Sequence, residues 1–532
     1  MTQRHAWVAL LCIAWIIPGV VGHDPWKPDE AYTFGVVYDM LRGGSWLVPT
    51  LTGEPFLDEP PLYYLTAAAF GAMFSWLLPL HDAARLATAF YMSLAFIFCG
   101  LAGRELHGRG KGTLAVMLLL GGFGLMVRAH QMITDVAALA GFCCAYYAFA
   151  LSLRRPAAAG TLLGAAIGVV FLAQGIYEAL ILVALTLVLP FAAAPWRTRA
   201  YAHTLAIALL VALPLLLIWP ALLHARSPAL FELWLQRDLF MRTLGSAHDW
   251  TFYLRILPWY AWPLWLVALW SLWRTRRGEY SRAPVALPLV GFAVCLAALT
   301  LSGETRELNA LPLLPALALL AAPGVAQLRR GAASAWYWFG IMGFAFFALA
   351  FWFYWVGLEL GVPARLHAHL HRLQPGYPPS FKIVPFAIAA TFTVAWFVMI
   401  ARLKRNAERP VIVWAASVTV LWGLAATLFI GWIDTGKSYR SAFAELRQNM
   451  PAQYRCMMSR DLTDSPRAML HYFENIITHR AESPTARRDC DLMLVQGVAK
   501  EERVPLGGWD KIWEGRRPGD KVERYRLYKR SP

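Results

Sequence analysis

The chain has 532 residues, of which 58% are hydrophobic and only 15% charged, with 24 tryptophans. A soluble globular chain is nearer half apolar and about a quarter charged, so an ordinary soluble enzyme is excluded. The formal charge of +16 does not mark a nucleic-acid-binding face, because the lysines and arginines cluster in short loops between apolar runs, as they do in the cytoplasmic loops of membrane proteins.

Apolar runs of about 20 residues recur along the chain and predict a polytopic α-helical membrane protein. The first, Ala6 to Val21, follows Arg4. This places the N-terminus in the cytoplasm, and with no A-x-A-like cleavage site before a soluble body the run is a retained anchor. The stretch after it, Asp24 to Tyr64, reads DPWKPDEAYTFGVVYDMLRGGSWLVPTLTGEPFLDEPPLYY. It carries the acidic pairs Asp29-Glu30 and Asp58-Glu59 and a Pro-Pro step at a membrane surface. It is either a solvated loop with helix caps or a catalytic loop.

The next apolar run, Pro61 to Leu80, is long enough to cross. Crossing would put Arg104 to Lys111, Arg154-Arg155, Arg197 and Arg199, and Arg402 to Arg409 outside, against the positive-inside tendency. Taken as interfacial or re-entrant, it leaves every one of these loops inside, with Arg274 to Arg277 and Arg329-Arg330. The remaining spans are then 86–103, 113–127, 136–153, 157–174, 179–194, 203–221, 254–273, 284–301, 309–328, 334–357, 381–401 and 410–431. With the first they make about 13, which puts the C-terminus outside. No internal repeat of fixed period is present.

On this topology the external loops hold Arg128, His130 and Asp135, then Gln174, Tyr177 and Glu178. A long segment from His224 to Thr251 follows with Arg237, Arg242 and His248, and then Glu304 and Arg306. Ionisable groups at membrane depth are costly and mark functional sites by default. Asp135 opens an apolar helix, where a carboxylate is either functional or a helix N-terminal charge favoured by the macrodipole. His367, His369 and His371 do not share one helix face and belong to a surface loop.

From Asp434 the composition turns polar. Helices at Tyr439–Asn449 and Ser465–Asn475 and strands at Tyr454–Ser459, Asp491–Gln496, Lys511–Trp513 and Val522–Tyr528 predict a small C-terminal periplasmic α/β domain. The chain thus divides into a transmembrane domain, 1–433, whose loop 24–84 is the catalytic candidate, and this domain, 434–532. Five of the seven cysteines lie in apolar runs as packing residues; Cys456 and Cys490 could pair as a disulfide if the C-terminal part lies outside the cytoplasm.

The acidic pair, the GxWLVPxLxGEPxLxxPPLYY run, Arg85 opening the second span and the acidic start of a later span resemble one known group. It is the bacterial branch of the protein O-mannosyltransferase superfamily, the GT-C glycosyltransferases that include the lipid A aminoarabinose transferases. The resemblance implies transfer of a sugar from a polyprenyl-phosphate carrier to a periplasmic acceptor at the bacterial inner membrane. Asp29 matches the family's catalytic aspartate, Glu30 its neighbour, and Asp135 the second acidic position. Asp58 matches the acidic residue before the family's Lys-Pro-Pro, and His248 is similar to a His beside the carrier phosphate or a divalent ion. No metal site is assigned, although His248 and Asp58 could share such an ion.

Candidate substrate contacts are Asp58, Glu59, Tyr63, Arg85, Arg128, His130, Arg242, His248 and Arg306. The arginines among them, with Arg237 and Arg255, could clamp the carrier phosphate. The sequence departs from the family where its Lys before the Pro-Pro pair is Glu59. Its Lys-Gly-Pro is Gln174-Gly175-Ile176, and a Ser-x-Ser-Lys stretch reads Ser302 to Arg306. These losses leave the sugar open. The acceptor is lipid A or lipopolysaccharide, or in the alternative a protein hydroxyl. Two other classes, a lipid-linked-sugar transporter and a non-catalytic assembly subunit, would predict broken helices at the midplane and loss of Asp29 respectively.

Overall fold

Where the sequence is apolar for long enough, it folds as a helix, and those helices make most of the molecule. The structure is a computed structural model, and it describes residues 3–242, 249–275, 279–482, 489–499 and 507–531. Among these, eight helices are long and apolar enough to cross a membrane: Leu80–His107, Pro156–Gln174, Arg199–Arg226, Ala283–Leu301, Leu308–Gln327, Arg330–Leu360, Ile383–Arg402 and Arg409–Leu428. A ninth is the pair Lys111–Leu120 and Phe123–His130, bent by 67°. The chain is a multi-pass membrane protein. Only 17% of the apolar window of Arg199–Arg226 and 11% of that of Ile383–Arg402 are buried, so these helices present their leucines and aromatics to lipid.

Each expected span is helical, but several are short or interrupted. Asp135–Leu151 and Ile176–Ala192 have 17 residues each. The expected helix 113–127 ends its first part before Gly121 and breaks at Gly122, where the backbone turns extended. The expected helix 254–273 is two, Phe252–Tyr260 and Leu264–Arg274, because Pro263 between them has no N–H to continue the ladder.

The loop after the first helix, α1 (Gln3–Ile16), begins with α2 (Asp29–Leu41). A hairpin of β1 (Thr50–Leu51) and β2 (Glu54–Pro55) follows, turning through Thr52 and Gly53 at φ of 52° and 80°. Next comes α3 (Leu62–Phe74), whose 13 residues span about 20 Å, short of the roughly 30 Å of a bilayer core. The next helix is α4 (Leu80–His107).

The C-terminal part forms a five-stranded sheet in the order β4-β3-β5-β7-β6. Its strands are β3 (Met457–Arg460), β4 (Thr478–Arg480), β5 (Leu492–Val498), β6 (Trp509–Gly515) and β7 (Glu523–Arg530). β3 runs parallel to β4 and β5, while β7 is antiparallel to β5 and β6. Cys456 and Cys490 form a disulfide at the starts of the parallel neighbours β3 and β5. The helix Asp464–Glu474 packs against α2 so closely that a Cβ on Gly35 would lie 2.4 Å from the Cβ of Ala468. Arg440 adds a bidentate pair to Asp24 at 2.5 and 2.9 Å. The small domain is thus seated on the 24–84 loop.

Candidate active site

The site is built on the first turn of α2. Asp29 and Glu30 occupy it after Pro28, where carboxylates offset the exposed N–H groups of the helix start. Successive helical residues point about 100° apart, so the two side chains meet different surroundings.

Asp29 is nearly buried yet faces the arginines. Its Oδ1 accepts from Arg306 Nη2 at 2.6 Å and from the Tyr32 hydroxyl at 3.2 Å, and Arg128 Nη1 stands 3.9 Å from Oδ2. Burial disfavours charge on Arg306, but Tyr32, Asp29 and Asp135 outweigh it and raise its pKa. About a third of each side chain, Arg306 and Arg128, is open to solvent. The result is a carboxylate held in place by one turn of helix, with two cations at its rim able to turn toward another anion.

Glu30 points the other way. It is fully buried against Arg85, whose Nε donates at 2.5 Å, and it accepts the backbone N–H groups of Trp26 and Met132 at 3.0 and 3.2 Å. Arg85 gives its other donors to Asp82 at 2.6 Å and to the carbonyls of Val20 and His23 at 3.0 and 3.1 Å. Burial pushes the Glu30 carboxyl up and Arg85 more than reverses it, leaving the group below its ordinary range. Glu30, expected beside Asp29 in the catalytic pair, and Arg85, expected as a phosphate partner, form in the structure a buried ion pair joining α2 to α4.

Two further candidates move for similar reasons. Tyr63 lies in the core, its hydroxyl 2.7 Å from that of Thr88, which donates to the Gln131 carbonyl at 2.9 Å. His130 is sandwiched between Trp15 and Trp422, its ring nitrogens 2.7 and 2.8 Å from the carbonyls of Trp15 and Met126. Both tie segments of the chain together.

Asp58 forms an ion pair with Arg237 at 2.6 Å. Its neighbour Glu59 is buried and accepts from the Tyr64 hydroxyl at 2.7 Å. Burial first, and then the Asp58 charge, hold the Glu59 carboxyl up at about 7. His248 lies outside the described residues, so the ion-sharing expectation for Asp58 and His248 meets only the Arg237 contact. Among the described residues the one metal-like cluster is Cys456, Asp489 and Cys490, and its two sulfurs are joined to each other.

Asp135 opens its helix beside a small cavity lined also by Gln174, Glu178, Asn309 and Pro312. Gln174 donates from its side-chain amide to Thr134 at 2.8 Å. Arg242 reaches the Gln174 carbonyl at 2.7 Å, Glu178 at 3.0 Å and Asp238 at 3.3 Å. The structure thus brings Asp29, Arg128 and Arg306 together, and Arg242 with the carboxylates Glu178 and Asp238. Tyr32 escaped the sequence reading, although its position one turn after Asp29 is the signal that could have found it.

No protein-family model matches the chain. Over 443 residues it is 29% identical to the undecaprenyl phosphate-alpha-4-amino-4-deoxy-L-arabinose arabinosyl transferase of Pseudomonas paraeruginosa, covering 80% of this chain and 76% of the relative. A protein of the same name from Pseudomonas aeruginosa is 28% identical over 449 residues, with the same coverage. Among solved structures, ArnT from Cupriavidus metallidurans bound to undecaprenyl phosphate aligns with a TM-score of 0.72 at 16% identity, over 98% of this chain and 97% of that one. Its apo state gives 0.69 at 15% identity, over 99% and 98%. The sequence likeness to these transferases covers 80% of the chain, and the fold is ArnT-like along its length.

Proposed function

We propose that the chain is a glycosyltransferase of the bacterial inner membrane. It moves 4-amino-4-deoxy-L-arabinose, or another sugar, from an undecaprenyl-phosphate carrier to lipid A or lipopolysaccharide on the periplasmic side. The observation that carries this reading is Asp29, nearly buried and fixed by Arg306 and Tyr32 with Arg128 at its edge. The named activity of the relatives supplies the substrate class.

The chemistry follows from those groups. The acceptor oxygen attacks the anomeric carbon, and the bond to the carrier phosphate breaks with its electron pair on the phosphate. Charge develops on the phosphate while the sugar passes through an oxocarbenium-like state. Arg306 and Arg128 can receive that charge, since guanidinium groups bind phosphate through paired donors. Release of Arg306 toward the phosphate would leave Asp29 free to take the proton of an acceptor hydroxyl. With an ionised phosphate as acceptor, Asp29 positions it instead. A single displacement of this kind inverts the anomeric centre.

The membrane arrangement belongs to the same proposal. About 13 crossings would put loop 24–84 and residues 434–532 on one side. One finding favours it: the C-terminal domain is seated on the loop. The Cys456–Cys490 disulfide suits an oxidising compartment, which in bacteria is the periplasm.

The test is transfer in vitro. Purified protein, undecaprenyl-phosphate-linked aminoarabinose and lipid A should yield lipid A heavier by one sugar residue. Transfer to a protein hydroxyl with none to lipid A would replace the acceptor. Transfer to neither would overturn the reading.

A further inference from the structure

A second polar space lies away from Asp29, between the β1–β2 hairpin and the C-terminal domain. It is a cavity of about 150 Å³ lined by Arg237, Arg467 and Arg480 and by Glu54, Asp58 and Asp464. That is room for several waters. Its walls come from three distant parts of the chain, and the close fit of Asp464–Glu474 on α2 at Gly35 fixes their separation.

The charges balance on paper, but the two signs are held differently. Arg467 is 1% exposed, whereas Glu54 and Asp464 are 37% and 34% exposed. Arg467 is anchored from behind, through Nε and Nη2, on the hydroxyl and carbonyl of Thr478 at 3.4 and 3.3 Å. Its Nη1 lies 2.9 Å from Glu54 Oε2 and Arg480 Nε lies 3.3 Å from the same oxygen, so two guanidinium groups share one carboxylate oxygen, while Arg480 Nη2 donates to Asp464. Burial and the neighbouring Arg480 lower the Arg467 pKa, which expresses crowding of two guanidinium groups. The carboxylates can swing into water, and the guanidinium of Arg467 cannot.

The geometry points to this cavity as a binding site for a phosphate monoester of the acceptor, docked on Arg467 and Arg480 in place of Glu54 and Asp464. Guanidinium donors in a fixed fork match such an oxyanion. The cavity wall includes Asp58, one residue from Glu59 in the loop that carries the candidate site, so an acceptor held here is coupled to that loop. This assignment rests on the acceptor reading above.

Binding of purified full-length protein to bisphosphorylated lipid A, to the same lipid after phosphatase treatment and to undecaprenyl phosphate tests it. Removing the phosphates, or the change Arg480→Gln, should each weaken lipid A binding on the order of tenfold, the scale of one charge-assisted contact. Undecaprenyl phosphate binding should be unchanged by Arg480→Gln. Glu54→Gln, which removes the resident competitor, should tighten lipid A binding and serves if Arg480→Gln folds poorly. Lipid A binding insensitive to its phosphates and to both variants would overturn the site while leaving the transferase reading intact. An equal loss of undecaprenyl phosphate binding would assign the cavity to the carrier and overturn the proposal. If the wild type transfers no sugar to lipid A yet binds inorganic phosphate through Arg480, the acceptor as occupant is overturned and the failure lies in the function reading.

Discussion

Asp29 and Glu30 differ by one methylene and one position, and the fold gives them opposite tasks. Asp29 meets Arg306 at a partly open rim, while Glu30 meets Arg85 where water does not reach. A buried ion pair that loses one partner strands the other, at a cost of roughly 3–5 kcal/mol. Arg85→Met should accordingly lower unfolding stability by that amount, seen as a fall in melting temperature and in membrane yield; an unaltered melting curve would contradict the buried-pair account. Glu59 makes a pH prediction. Its pKa is raised from an ordinary 4.5 to about 7, so the fold binds the proton more tightly than the unfolded chain does. The associated stability is fully present below pH 4.5 and is lost as pH rises through about 7. Glu59→Gln should flatten the melting temperature across that window; a slope like that of the wild type would place the responsible proton on another group. The sequence made the DE pair visible but not which member faces inward, because that depends on Arg85, 55 positions beyond Glu30. The partners of Tyr63 and His130 are hidden for the same reason: polarity near a membrane end is legible, and a partner across the core is not.

At the scale of elements, hydropathy runs located the helices, since each apolar stretch must satisfy its backbone within itself in lipid. What they missed were interruptions. Gly121-Gly122 and Pro263 break two expected helices, signals present in the sequence but overridden by continuous apolarity. Strand β4 is three residues long and has too little pattern to announce itself. The disulfide was legible only as a conditional pairing, because its geometry depends on β3 and β5 becoming parallel neighbours. It closes a loop with a sequence separation of 34. By loop entropy Cys456→Ser should destabilise the C-terminal domain by about 3–4 kcal/mol, measured as earlier protease cleavage of that domain on heating; equal resistance with and without the disulfide would contradict this.

Across the whole molecule, the arrangement turns on one short helix. The proposed topology takes α3 as a segment that does not cross, a parity that would put the basic loops on one side and the C-terminal domain on the other. A reporter active only in the periplasm, fused after Arg440, should be active; a silent fusion would contradict the topology. The contacts that seat the C-terminal domain, Gly35 with Ala468 and Asp24 with Arg440, join positions more than 400 residues apart, and no local pattern could have revealed them. The arginine-lined cavity beneath that domain was hidden for the same reason. The central claim, that Asp29 serves sugar transfer to lipid A, is tested most directly by mass spectrometry of lipid A from cells with the gene, without it, and with Asp29→Asn. The account predicts a lipid A species heavier by one sugar in the first alone, the variant protein being present and folded but slower by about 10²–10⁴-fold. The same species at wild-type level in the Asp29→Asn cells would contradict it.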